Sequence, residues 1–180
     1  MRSFFLITVV LCAAALASGA TVCHCDPRQP ETLKSRECSL CAEAEKEPAS
    51  TEFFFRRDIN PRKPNRLLIM PRLHTREQHP LTELPADLRA RYWTVAIDKA
   101  KELWGAEWAV AYNGDRVRTQ CHAHIHIGKL LPGVEFGDFN VVSTPAEIVV
   151  LPGEGVWVHP VEGKLHVHTG EQITETVLLR

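Results

Sequence analysis

Seven consecutive residues, Cys121-His122-Ala123-His124-Ile125-His126-Ile127, alternate imidazole with apolar side chains. Successive side chains of a strand point to opposite faces. A strand through residues 121–131 therefore puts His122, His124 and His126 on one face, at steps of about 6–7 Å set by the strand rise. Ala123, Ile125 and Ile127 make the other face apolar, so the fold must cover it with a hydrophobic layer. Residues 84–104 can supply that layer. Pro85 suits the first turn of a helix and Gly105 its C-terminal cap. Trp93, Ile97, Ala100 and Trp104 recur at spacings of four, three and four, which draws one apolar stripe along the helix.

The remaining elements are short. Residues 52–57 include Phe53, Phe54 and Phe55 and read as a strand. Residues 60–65, Asn-Pro-Arg-Lys-Pro-Asn, read as a turn because proline fixes φ and removes a donor. Residues 66–70 read as the returning strand of a hairpin, ended by Pro71. Further strands are expected at 107–112, ending in a turn at Asn113-Gly114-Asp115, and at 147–151, 155–159, 164–168 and 174–179. Strands on both sides of one long helix predict an α+β fold with an antiparallel sheet, the helix packed on it, and a C-terminal β extension.

The chain has 180 residues, 44% of them apolar, which suits one domain with its own core. Lys plus Arg number 21 against 22 acids, for a net charge of -1. Such a balance argues against nucleic acid as a partner, since its binders carry a basic excess. Residues 1–20 differ in kind. Arg2 precedes an apolar run of about a dozen residues and then small-x-small sites at Ala15-Leu16-Ala17 and Ser18-Gly19-Ala20, the pattern of a cleaved export signal, with a retained N-terminal anchor as the alternative. Three parts are expected: a signal at 1–20, a Cys-rich segment at 21–50 and the main domain at 51–180. After export, Cys23, Cys25, Cys38 and Cys41 cluster as C-x-C and C-x-x-C, while Cys121 stands alone. The cluster suits disulfides in an oxidising compartment or a small zinc site.

Three co-facial imidazoles suit metal ligation or nucleophilic catalysis better than burial in a core. The motif also carries a resemblance. His122-Ala123-His124-Ile125-His126-Ile127 resembles the signature of the histidine-triad superfamily. Leu67-Leu68-Ile69-Met70-Pro71-Arg72-Leu73-His74 resembles that family's strand ending in Pro-basic-x-His. The resemblance covers roughly residues 50–131. Gln120 lies two residues before His122, where common members have four. Arg118-Thr119-Gln120-Cys121-His122 is closest to the CDP-diacylglycerol diphosphatase branch, membrane-associated enzymes of the bacterial periplasm.

The resemblance implies a histidine-triad-like sheet and roles for individual residues. His124 would attack phosphorus and form a nucleotidyl-histidine intermediate, which water then hydrolyses. His126 and Gln120 would donate to the phosphoryl oxygens. His122 would orient the nucleophile, directly or through a backbone carbonyl. Asn113 is a candidate for the same network or for a ribose contact. His74 is a candidate for the site rim. Arg118 either pairs a phosphate or is an ordinary turn charge. The substrate would be a nucleotide-bearing small molecule or lipid, with CDP-diacylglycerol giving CMP and phosphatidate. The chemistry requires no cofactor. Peripheral membrane contact and a homodimer are the implied associations.

A second histidine cluster follows. Residues 157–168 read as a hairpin with Glu162-Gly163 as its two-residue turn. Val161 then faces Lys164, and His159 faces His166, with His168 two residues on and Glu171 close by. His166-Val167-His168 with Glu171 weakly resembles a cupin motif. The cluster suits a divalent metal such as zinc, an active-site rim or a polar face. The alternative reading of the whole chain is therefore a secreted histidine-rich metal-binding β-protein without hydrolase activity.

Overall fold

The three consecutive phenylalanines show how the sheet is built. They lie on β1 (Phe53–Arg57), which forms an antiparallel hairpin with β2 (Leu67–Pro71), Phe54 opposite Met70. Alternation sends Phe53, Phe55, Leu67 and Ile69 to one face, and Phe54, Leu68 and Met70 to the other. Both faces are apolar because both are covered. α2 (Ala86–Trp104) packs on the first, and α1 (Ser39–Glu45) packs on the second through Leu40 and Ala44. The fold is thus a computed structural model of α+β type describing residues 22–73 and 81–180; the expected leader and His74 lie outside the described residues.

The sheet continues through β3 (Trp108–Tyr112), β4 (Ile125–Lys129), β5 (Phe139–Val142), β6 (Val156–Val161) and β7 (Lys164–His168). Its order is β1-β2-β4-β3-β6-β7-β5, antiparallel throughout. The long helix runs as its stripe requires, from Pro85 at its N-cap to Gly105 at its C-cap. Gly105 has φ 56°, a left-handed value that glycine adopts without a Cβ penalty. Tyr92, Trp93, Ala96, Ile97 and Ala100 are buried against Ile69, Val110, Ile125, Ile127 and Val158.

Several expected elements differ. The histidine strand begins at Ile125, and the residues before it form a bend and an extended entry. The disulfide and backbone bonds described below hold that entry against the N-terminal segment, so it does not pair along β2. Residues 147–151 form no strand: Pro145–Glu147 make a 3-10 turn, and Ile148 and Val150 plug the end of the α2 core. Thr174–Val177 is likewise a 3-10 turn, leaving a single bridge between Leu130 and Leu178. α1 and β5 carry no strong periodicity and arise from tertiary packing. The β6–β7 hairpin has its expected register, with Val161 opposite Lys164 and His159 opposite His166. Its turn residues Glu162 and Gly163 have φ 49° and 78°, the two positive values of a type I′ turn.

Candidate active site

His126 lies on β4, opposite Leu68 on β2 and Ala111 on β3. Alternation turns Ile125 and Ile127 to the α2 core and leaves His124 and His126 on the opposite face. There they line a cleft of about 390 Å³ with Asp58, Lys63, Asn113, Arg118 and Glu175. Leu40 of α1 and Leu68 of β2 give it one apolar wall. The two imidazoles meet edge to face at 4.9 Å between ring centres. His122 does not join them. It is buried, and its Nε2 lies 2.8 Å from the carbonyl oxygen of Pro71 at the end of β2. The bend before β4 therefore breaks the three-imidazole row that strict alternation predicts.

His122 contributes its backbone instead. The Nδ1 of His124 lies 2.9 Å from the carbonyl oxygen of His122. A carbonyl only accepts, so Nδ1 carries the proton and the neutral ring has its lone pair on Nε2. Burial, with Arg118 nearby, holds the His124 pKa below the ordinary imidazole value, while Glu175 and Asp58 oppose that shift. The unprotonated ring is a nucleophile.

Asn113 fixes the next ring. Its Oδ1 accepts from the backbone N–H of Glu175 at 3.1 Å and from Thr174 Oγ1 at 3.3 Å. Its Nδ2 must then face His126 Nε2, 3.5 Å away. His126 Nδ1 lies 3.5 Å from Glu175 Oε2, within ion-pair range but without hydrogen-bond geometry. Burial and the neighbouring His124, Lys63 and Arg66 push the His126 pKa well down. With Nε2 turned to an amide donor, this ring accepts from Asn113. The N–H of the neutral ring is then on Nδ1, the side that faces Glu175.

Gln120 is also differently employed. Its Oε1 accepts from Ser39 Oγ at 2.8 Å and from the Leu40 backbone N–H at 3.4 Å, and its Nε2 donates to the Arg36 carbonyl at 3.0 Å. It ties the N-terminal segment to the loop before β4. Both ends of its amide bind the N-terminal segment, which gives it a positioning role, while the side chain also lines the cleft with its second Nε2 hydrogen still available as a donor. Arg118 is no exposed turn charge. It is buried, donating to Tyr112 Oη at 2.9 Å and pairing with Asp115 at 2.8 Å.

Glu175 and Lys63 were not legible from the sequence. Glu175 sits in the C-terminal 3-10 turn and accepts from Lys63 and from buried Arg66, at 2.5 and 2.9 Å. Arg66 Nε also donates to the Leu179 carbonyl at 3.1 Å, and its Nη2 donates to that of Leu178. This clamp ties residues 175–179 to Lys63 and Arg66, with Glu175 lining the cleft. No local pattern marks it, since its partners lie more than a hundred residues apart in sequence.

The cysteines pair across that distance as well. Disulfides join Cys23 to Cys121 and Cys25 to Cys38, while Cys41 is a buried thiol pushed by burial up to about 12. The expected set of Cys23, Cys25, Cys38 and Cys41 is thus corrected: Cys121 belongs to it and Cys41 does not. Four thiolates for zinc are not available there, because oxidised sulfurs are not thiolate ligands. Cys121 also donates its N–H to the Glu37 carbonyl at 2.8 Å. The N-terminal segment is thereby fastened directly beside His122.

The second cluster lies on the same face of the sheet. Across paired strands the row runs His126, Ala111, Trp157, His168. That is three strand spacings, or about 14 Å, so His168 is no rim of the cleft. The carboxylate beside His159, His166 and His168 is Glu135, not Glu171. Burial and the adjacent imidazoles push His159 down to about 4, and burial lowers His168.

Among the described residues, no helix is long and apolar enough to cross a membrane. No protein-family model and no curated protein matches this chain.

Proposed function

We propose that this chain is an exported hydrolase of histidine-triad type that cleaves a nucleotide-bearing pyrophosphate or phosphodiester through a nucleotidyl-histidine at His124. The observation that carries this reading is the 2.9 Å contact from His124 Nδ1 to the His122 carbonyl, inside a cleft that also holds Lys63. It leaves a lone pair on Nε2 of a ring held neutral by burial. The cleft's volume is within the range of small-molecule sites.

In the proposed reaction, His124 Nε2 attacks phosphorus, the N–P bond forms, and the P–O bond to the leaving phosphate breaks. The positive charge on the imidazolium is shared through Nδ1–H with the His122 carbonyl. Lys63 offsets charge on the phosphoryl oxygens, and the Asn113 amide steadies the His126 ring beside the reacting centre. Water then adds to phosphorus, the N–P bond breaks, and the nucleoside monophosphate leaves with His124 restored. Splitting the displacement into two steps is the gain of covalent catalysis. CDP-diacylglycerol, giving CMP and phosphatidate, is the substrate this reading favours. Its acyl chains would stay in a bilayer met peripherally by the enzyme. A homodimer is the proposed assembly.

The test is hydrolysis of CDP-diacylglycerol, dinucleoside polyphosphates and nucleoside phosphoramidates by the wild type and His124→Ala. Turnover should fall by several orders of magnitude in the variant with its melting temperature retained, and alkaline quenching of the wild type should trap label on histidine. Undiminished turnover in His124→Ala would sink the mechanism.

A further inference from the structure

His168 is held by both of its ring edges. Its Nδ1 lies 3.0 Å from the carbonyl oxygen of Phe136, which only accepts, so Nδ1 carries the proton and Nε2 the lone pair. That lone pair faces His159 Nε2 at 3.1 Å. One face of the imidazole stacks on Trp157 at 3.7 Å between ring centres. Opposite His159 across the hairpin, His166 has its Nδ1 3.1 Å from Glu135 Oε1, and its ring is stacked on Phe139 at 4.5 Å. Ligand-type atoms of all four side chains lie within 4.8 Å of one another.

These separations suit a cation. Four ligands at zinc–nitrogen and zinc–oxygen distances near 2.1 Å, arranged tetrahedrally, stand about 3.4 Å apart. Two pairs here stand at 3.1 Å, and all four ligand atoms lie within 4.8 Å of one another, close to that spacing. The Phe136 carbonyl on His168 Nδ1 is the outer-shell support that metal-ligating histidines regularly have, and it aims Nε2 inward. Two strands and the loop carrying Glu135 contribute, so the set is assembled by the fold.

We propose that Glu135, His159, His166 and His168 form a binding site for one zinc-class divalent cation. Three imidazoles and a carboxylate fill a tetrahedral shell with protein ligands, which is the pattern of a structural site. The ion would clamp the loop after β4 onto the β6–β7 hairpin at the far end of the sheet. The proposal is independent of the hydrolase reading, because the site stands about 14 Å from His126 by strand spacing. Nickel(II) and copper(II) accept the same donors, so the titration is run with each, zinc first.

The experiment uses the full exported chain with its disulfides intact, stripped with a chelator and dialysed. Zinc is titrated in competition with a chromophoric chelator. One equivalent should bind with submicromolar affinity and raise the melting temperature by about 5–10 °C at a hundredfold excess over Kd. His166→Ala and Glu135→Gln should each weaken binding at least tenfold. Asp58→Asn should leave it unchanged, which separates the site from the Asp58, His126 and Glu175 group in the cleft. X-ray absorption of the zinc-loaded wild type should show imidazole and oxygen neighbours without sulfur, a readout that needs no variant to fold. Failure to bind any of the three metals below about 10 μM, binding that both variants leave intact, or a sulfur shell would each overturn the proposal.

Discussion

Removing the Cys23–Cys121 disulfide should cost more than removing Cys25–Cys38, although the two lie side by side. The first spans 98 residues and the second 13. In the chain-entropy view a cross-link stabilises by restricting the unfolded chain, with a logarithmic dependence on loop length. That gives about 4.7 kcal/mol for the long loop and about 2.9 kcal/mol for the short one. The short bridge lies inside the long loop and shortens it by about a dozen residues, which the logarithm makes negligible. At 2–4 °C per kcal/mol for a chain of this size, melting should fall by roughly 9–19 °C for Cys23→Ala/Cys121→Ala and roughly 6–12 °C for Cys25→Ala/Cys38→Ala. The assay is thermal unfolding of both double variants and the wild type by circular dichroism under non-reducing conditions. Equal losses, or a larger loss for the short bridge, would refute the loop-length reasoning. The proposed hydrolysis offers a second reading. Cys121 precedes the residue whose carbonyl orients His124, so the long-loop variant should also lose turnover at temperatures where it remains folded.

Two further expectations concern the cleft. Because burial and Arg118 lower the His124 pKa, the acid limb of kcat/KM should fall below the ordinary imidazole value near 6.5, with activity lost as pH drops and the ring takes a proton; a limb above 6.5 would contradict the neutral nucleophile. Gln120→Ala removes three hydrogen bonds to the N-terminal segment and should cost about 1–2 kcal/mol of stability and raise KM, with kcat little changed; a large loss of kcat at unchanged stability would show that Gln120 donates to the phosphoryl group after all.

What the sequence determined by itself was the local order. The apolar alternation at Ala123, Ile125 and Ile127 and the stripe at Trp93, Ile97, Ala100 and Trp104 suffice to place β4 under α2, because periodicities of two and about 3.6 are properties of the backbone. Glu162-Gly163 was enough to set the register of His159 and His166, since a two-residue turn leaves no slack. The same periodicity misplaced His122. A tether from outside the segment, through Cys121 and Gln120 to residues 23–40, bends the chain before the strand begins. Tertiary structure alone decided that the fourth paired cysteine is Cys121, that Glu175 sits beside His126, and that Glu135 faces His166. Each joins segments whose separation in sequence carries no period. Charge pairing and disulfide geometry depend on where chain segments end up in space, and only the packed sheet and its two covering helices fix that.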